Sequence, residues 1–226
     1  MIAVTIATPD YADLAHEQAK HFAAMSGLRT SVIHVAAGDG FRAKLDLPNL
    51  APRGRIVFFD ADYRLISPYD LTKFEQGCFS GVPDPTASAP GDEYFVAKDC
   101  RTHELNPGLY LNTGFFVCDT SSNAHQRVFW HARQMWEERA RGMWSGMADV
   151  TEQTILNCAL QREMVNIGAL PVAWNFFAFA HQHGFCQFPT GIYGIHAAAV
   201  VGAEGKSRHL NSLHSILQWN KTPHAP

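Results

Sequence analysis

Two carboxylates, Asp60 and Asp62, follow directly on the bulky apolar run Ile56 to Phe59, with Ala61 between them. In extended chain, residues i and i+2 point the same way, so both acids face one site, and a turn would bring them closer. Neighbouring carboxylates repel unless a cation, a shared proton or a basic partner lies between them. A continuous apolar run suits a strand covered on both faces. In an open α/β sheet, ligands bind beyond the carboxyl ends of such strands. Oxygen ligands suit magnesium or manganese, commonly shared with a substrate's phosphates. The chemistry this predicts is a divalent cation bridging protein and diphosphate. A pair of turn aspartates capping the next segment has the same sequence.

Several elements must position this pair. Ile2 to Ala7 is an apolar, β-rich run that stops at the turn signal Thr8-Pro9-Asp10. Asp10 is suited to cap the helix that follows, whose apolar face is Ala15, Ala19, Phe22 and Ala23. Gly27 suits its left-handed end, and Thr30 to Ala36 predicts a second strand. This βαβ opening implies a parallel sheet. Gly38 to Pro52 is irregular and polar, with room for one short helix. Phe79 to Val82 and Gly114 to Cys118 predict strands, and Pro83 to Asp92, rich in Pro, Ser, Asp and Gly, predicts a loop or lid. Ser122 to Arg141 and Thr151 to Arg162 carry helical periodicity. Ile167 to Val172 and Gly191 to Ile195 predict late strands, and the tail from Lys206 is polar and partly loose. No repeat or linker interrupts the chain, so residues 1–226 are expected to form one α/β domain.

Composition narrows the function classes. Hydrophobic residues make up 46% and charged residues 17% of the 226, ordinary for a soluble globular chain. The formal net charge of −3 argues against a nucleic-acid partner. No apolar stretch is long enough for a membrane span. No basic and apolar leader follows Met1, which predicts a cytoplasmic protein. Cys78, Cys100, Cys118, Cys158 and Cys186 are scattered without a C-x-x-C pair, which predicts reduced thiols rather than a zinc site.

Three further stretches accompany the aspartates. Tyr110 to Asp119 places Asn112-Thr113-Gly114 before an apolar run. Asp149 to Asn157 opens a helix with the acid–amide pair Glu152-Gln153. Gly191 to Ala199 is a strand-like run ending in His196, with Gly205-Lys206 downstream. With "FFDAD" in front, this order resembles the GT-A glycosyltransferases, especially glycosyltransferase family eight and its relatives. The resemblance implies a Rossmann-like nucleotide-diphospho-sugar transferase fold with a mainly parallel central sheet. It implies a metal-dependent hexosyltransferase that moves a sugar from a UDP-sugar donor to a carbohydrate or other hydroxyl-bearing acceptor, with retention at the anomeric carbon.

Carried over by that resemblance, Asp60, Asp62 and His196 hold Mn2+ (or Mg2+). Ala7, Thr8, Asp10 and Tyr11 match the loop around the nucleotide base, with Tyr11 placed to stack. Asn112 contacts donor or acceptor sugar, Glu152 and Gln153 lie beside the anomeric carbon, and Ala61 and Lys206 join the diphosphate site. Leu170 to Asn175 resembles the family's late strand.

Simpler roles remain open for several of these residues. Asp149 and Glu152 have the spacing of a capping box. Asn112 suits a left-handed turn before Gly114. Trp174 to Phe179 suits core, with Trp174 or Asn175 bordering an acceptor. Two other functions share these features. A nucleotide-sugar binding protein needs the clamp without turnover. The haloacid-dehalogenase phosphatases also use an Asp-x-Asp pair after an apolar strand. Their motif carries Thr or Val where this chain has Arg64, and it follows the first strand rather than a βαβ unit.

Overall fold

In a computed structural model the chain is described over residues 1–74, 77–90, 94–142, 150–184, 186–187, 189, 191–198 and 200–219. Strand β1 (Ile2–Ala7) leads through a short 3-10 turn into helix α1 (Ala12–Ser26), then β2 (Thr30–His34). Gly27 ends α1 with φ 71°, and its N–H bonds the carbonyl of Ala23. Two short helices follow, α2 (Gly40–Leu45) and α3 (Leu47–Leu50), then β3 (Arg55–Phe59), β4 (Tyr63–Leu65), β5 (Phe79–Pro83) and α4 (Phe95–Thr102). Strand β6 (Leu111–Asp119) precedes α5 (Asn123–Ala140), α6 (Glu152–Arg162), β7 (Ile167–Ala169), α7 (Ala178–Gln182), β8 (Gly194–His196) and α8 (Ala203–Trp219).

Six strands form one sheet in the order β2-β1-β3-β6-β5-β7, and β4 pairs with β8 in a small second sheet. Within the large sheet only β6 runs against its neighbours. The expected apolar strand is therefore central, with β1 on one side and β6 on the other. Its residues alternate between two faces, as a strand requires. Ile56 and Phe58 pack with Val128, Phe129, Ile155 and Ala159 of α5 and α6. Val57 and Phe59 pack with Ala19 and Phe22 of α1 and with Trp174. The rings of Phe22 and Phe59 stack at 4.4 Å.

Several local expectations change. Asp10 does not cap α1: it lies in the 3-10 turn and accepts a 2.6 Å hydrogen bond from the Thr8 hydroxyl. Gly38 to Pro52 is helical twice over, because Leu45 and Leu47 are wholly buried and draw the segment onto the sheet. The expected loop after β5 is a loop in its described part, but one packed down on the body of the protein. Asp84, Thr86, Ala87 and Ala89 are buried, and Ala87 packs against Val96 and Tyr110. Residues 91–93 of that stretch lie outside the described residues. Asn112 is not a turn residue but part of β6, which begins three residues earlier than expected. Leu170 to Asn175 is no strand: β7 stops at Ala169, and Val172–Trp174 form a 3-10 turn. The described part of the tail is helical, α8, anchored by Leu210 and Leu217 in a cluster with Ile195, Phe176 and Leu14, and residues 220–226 lie outside the described residues. Four cysteines are buried and Cys186 is half-buried; burial pushes the Cys158 thiol up to about 12.

Candidate active site

The carboxyl ends of β1 and β3 open into a cleft of about 800 Å³. Asp60 leaves β3 with its N–H bonded to the Gly114 carbonyl at 2.9 Å. A turn closed by Tyr63 N–H on the Asp60 carbonyl (2.9 Å) brings Asp62 back to the same side. Strand β4 then pairs Tyr63 with His196, the last residue of β8. The His196 ring is thereby set 3.2 Å from Asp62 and 3.8 Å from Asp60, measured from Nε2. Ligand atoms of all three side chains lie within 4.8 Å of one another.

Two small residues make this approach sterically feasible. A Cβ on Gly114 would fall 2.2 Å from the His196 ring. One on Gly194 would fall 1.8 Å from the Tyr63 hydroxyl, which donates to the Trp174 carbonyl at 2.6 Å. The glycine of Asn112-Thr113-Gly114 therefore makes room for a ring arriving from another sheet.

The β5–β6 ladder jumps at this point. Gly81 pairs with Phe116, but Val82 pairs with Asn112, so Thr113 to Phe115 drop out of that ladder. Such a bulge re-aims side chains beside a site. Asn112 donates to Asp84 at 3.0 Å and accepts from Gly114 N–H and from Asn175. Gln153 also donates to Asp84, at 3.1 Å, and accepts from Thr113 N–H. Asp84 thus gathers Asn112, Gln153 and both donors of Thr86.

Glu152 is the first residue of α6, and Thr151 is the cap, accepting from Thr154 N–H. The expected capping box fails on that geometry, and Asp149 lies outside the described residues. The Glu152 carboxylate turns instead to Lys44. That lysine is 4% exposed, 2.8 Å from Asp60 and 3.1 Å from Glu152. Burial alone would lower the Lys44 ammonium, but the carboxylates of Asp60 and Glu152 outweigh it and hold its pKa raised. Burial would raise the Asp62 carboxyl, yet His196 and Lys206 hold it well below the usual range. Lys206, from the first turns of α8, bonds Asp62 and lies 5.9 Å over the Tyr11 ring.

Of the expected site residues, Thr8, Asp10, Tyr11, Asp60, Ala61, Asp62, Asn112, Glu152, Gln153, His196 and Lys206 all line this one cleft. Ala7 does not. It is buried within β1, and Ile6 contributes to the wall instead. Trp174 is core, stacked on Tyr193 at 4.6 Å, and Asn175 reaches the cleft only through Asn112. Lys44 and Asp84 were not anticipated. Their only signals are a lysine between Ala43 and Leu45 and an aspartate between two prolines.

The cleft is acidic. Among the described residues that line it, Asp10, Asp60, Asp62, Asp84 and Glu152 face two lysines, a formal surplus of three negative charges. That surplus opposes the entry of a diphosphate, and a further cation would offset it.

No family model matches this sequence, and no curated protein sequence is significantly similar to it. The architecture is nevertheless that of the GT-A glycosyltransferase fold, an α/β domain with a mainly parallel sheet. Similar solved structures include the galactosyltransferase LgtC in complex with donor and acceptor sugar analogs. That match has a TM-score of 0.65 and 14% identity over 100% of this chain and 98% of that one. A glutamine-to-glutamate active-site mutant of LgtC gives 0.60 and 13%, over 94% and 96% of the two chains. The bifunctional glycosyltransferase WbbM in its apo form gives 0.63 and 14%, over 89% of this chain and 46% of that one. This chain thus spans about half the length of WbbM. At these identities the likeness is one of fold.

Proposed function

We propose that residues 1–226 form one glycosyltransferase domain that moves a hexose from a UDP-sugar to a hydroxyl-bearing acceptor, dependent on a divalent metal and with retention. The observation that carries this reading is the Asp60–Asp62–His196 triangle at the end of the central strand, in a cleft whose surplus of negative charge a cation would offset. The residues fit a metal: two carboxylate oxygens and one imidazole nitrogen converge, a donor set compatible with manganese. Bound there, Mn2+ would offset the negative charge that collects on the departing diphosphate.

The chain's own groups supply the rest. Lys206, on a helix that packs beside the triangle, is placed to take a diphosphate oxygen, an interaction that strengthens as the bond to the sugar breaks. Tyr11 offers a ring for the base and Thr8 a hydroxyl. Asn112 and Gln153, both fixed by Asp84, present amide groups that orient sugar hydroxyls. The sugar becomes oxocarbenium-like, and Glu152 with the Gln153 amide oxygen lies where positive charge is best stabilised. Lys44 holds the Asp60 and Glu152 side chains in place through its two ion pairs. LgtC, which shares the fold, has been crystallised with both donor and acceptor sugar analogs, and that supports a two-substrate cleft here.

The test is a panel of UDP-sugars incubated with the protein and Mn2+, with UDP release as the readout. Release from at least one donor, absent with chelator and absent in Asp62→Asn, is expected. Tight UDP binding with no release from any donor, with or without added sugars, would make the protein a nucleotide-sugar binder instead.

A further inference from the structure

Two phenylalanines at the mouth of the cleft are left exposed by folding. Phe41, on α2, is 61% exposed and Phe95, at the start of α4, is 55% exposed, and both line the cleft. Lone exposed apolar residues are ordinary on a protein surface. These two come from separate elements onto one cleft, and each leaves more than half of its surface in solvent. Neither is free to wander. Phe41 lies on the same short helix as the wholly buried Leu45 and the ion-paired Lys44. Phe95 adjoins Val96, which packs in the cluster with Ala87 and Tyr110, and α4 is tied to α6 by a Thr154 to Asp99 hydrogen bond of 2.5 Å.

Resting on the transferase reading above, we propose that Phe41 and Phe95 form the acceptor subsite, and that the acceptor is a glycoside whose sugar ring lays its C–H face on these rings. The polar neighbours select a sugar over a lipid chain. Thr86 and Gln153 line the same cleft, and the Thr86 hydroxyl oxygen is left to meet ligand hydroxyls beside an apolar face. A lipid would require a continuous apolar groove, and carboxylates interrupt this one. At about 800 Å³ the cleft lies in the upper part of the usual range for small-ligand sites, which suits two substrates together.

The experiment titrates methyl β-glycosides of glucose, galactose, mannose and N-acetylglucosamine into protein loaded with UDP and Mn2+. Calorimetry is run on the unaltered chain, on Phe41→Ala and on Phe95→Ala. At least one glycoside is expected to bind, and to bind roughly 3- to 10-fold more weakly in each variant. UDP affinity should stay the same in both variants. Three results would overturn the subsite: no glycoside binds, a glycoside binds all three proteins equally, or a variant loses UDP affinity and so places its ring on the nucleotide. Failure of the unaltered chain to bind UDP with Mn2+ would instead remove the transferase reading, and the acceptor subsite with it.

Discussion

On the floor of the cleft, Lys44 is buried between Asp60 and Glu152, and Asp84 is saturated by Asn112, Gln153 and Thr86. On its flank, His196 and Lys206 arrive from β8 and α8, held to the rest by a three-residue ladder and by Arg64. The floor belongs to the main sheet and to helices packed on it. Its polar groups are paired with one another, so their geometry is set before any ligand arrives. The flank sits outside the main sheet, on β4 and on a smaller apolar cluster that includes Leu14 of α1. The difference teaches where rigidity and where adjustment reside: the groups proposed to face the sugar are tied to one another, while Lys206, proposed to face the diphosphate, depends on how α8 is seated.

Three substitutions break this contrast to different depths. Lys44→Met should have the largest effect, because it strands two carboxylates beside an apolar wall. The expected loss is about 3 kcal/mol, the low end for a buried pair because the Asp60 side chain is 26% exposed. Urea denaturation would show it, and an unchanged midpoint would mean that the floor does not rest on this triad. Gly114→Ala strikes where floor meets flank, since its Cβ would lie 2.2 Å from the His196 ring. It should cost about 1–3 kcal/mol and weaken Mn2+ binding, measured by electron paramagnetic resonance of the free ion. Retained Mn2+ affinity with a displaced ring would detach His196 from the metal site.

Arg64→Leu should be the mildest. It removes donors to Glu17, Gln18 and Asn211, which join α1 and α8. A loss of about 1 kcal/mol is expected, with hydrogen exchange quickened in α8 and not in β3 or β6. Equal quickening in both regions would mean that floor and flank open as one unit.

The same contrast marks what the amino-acid order reveals. Asp60 and Asp62 are legible because an apolar strand stops at them, a local pattern that the central position of β3 confirms. His196 is singled out by the family resemblance, since a histidine at a strand end is by itself an ordinary structural residue. Lys44 is not, since a lysine in a six-residue helix reads as a surface residue until Asp60 and Glu152 close on it from distant parts of the chain. Asp84 hides for the same reason: its prolines spell a turn, while its hydrogen bonds come from Asn112 and Gln153. α8 carries the helical spacing Leu210, Leu213 and Leu217, i, i+3 and i+7, but glycine and polar residues in its first turns hide it.

Calorimetric titration of UDP into the unaltered chain and into Asp62→Asn, each with and without Mn2+, addresses the metal–diphosphate clamp most directly. UDP should bind the unaltered chain only when Mn2+ is present. Asp62→Asn should lower that affinity by more than the roughly 10- to 100-fold that loss of an outer-shell partner costs. Equal UDP affinity in all four titrations would contradict the account.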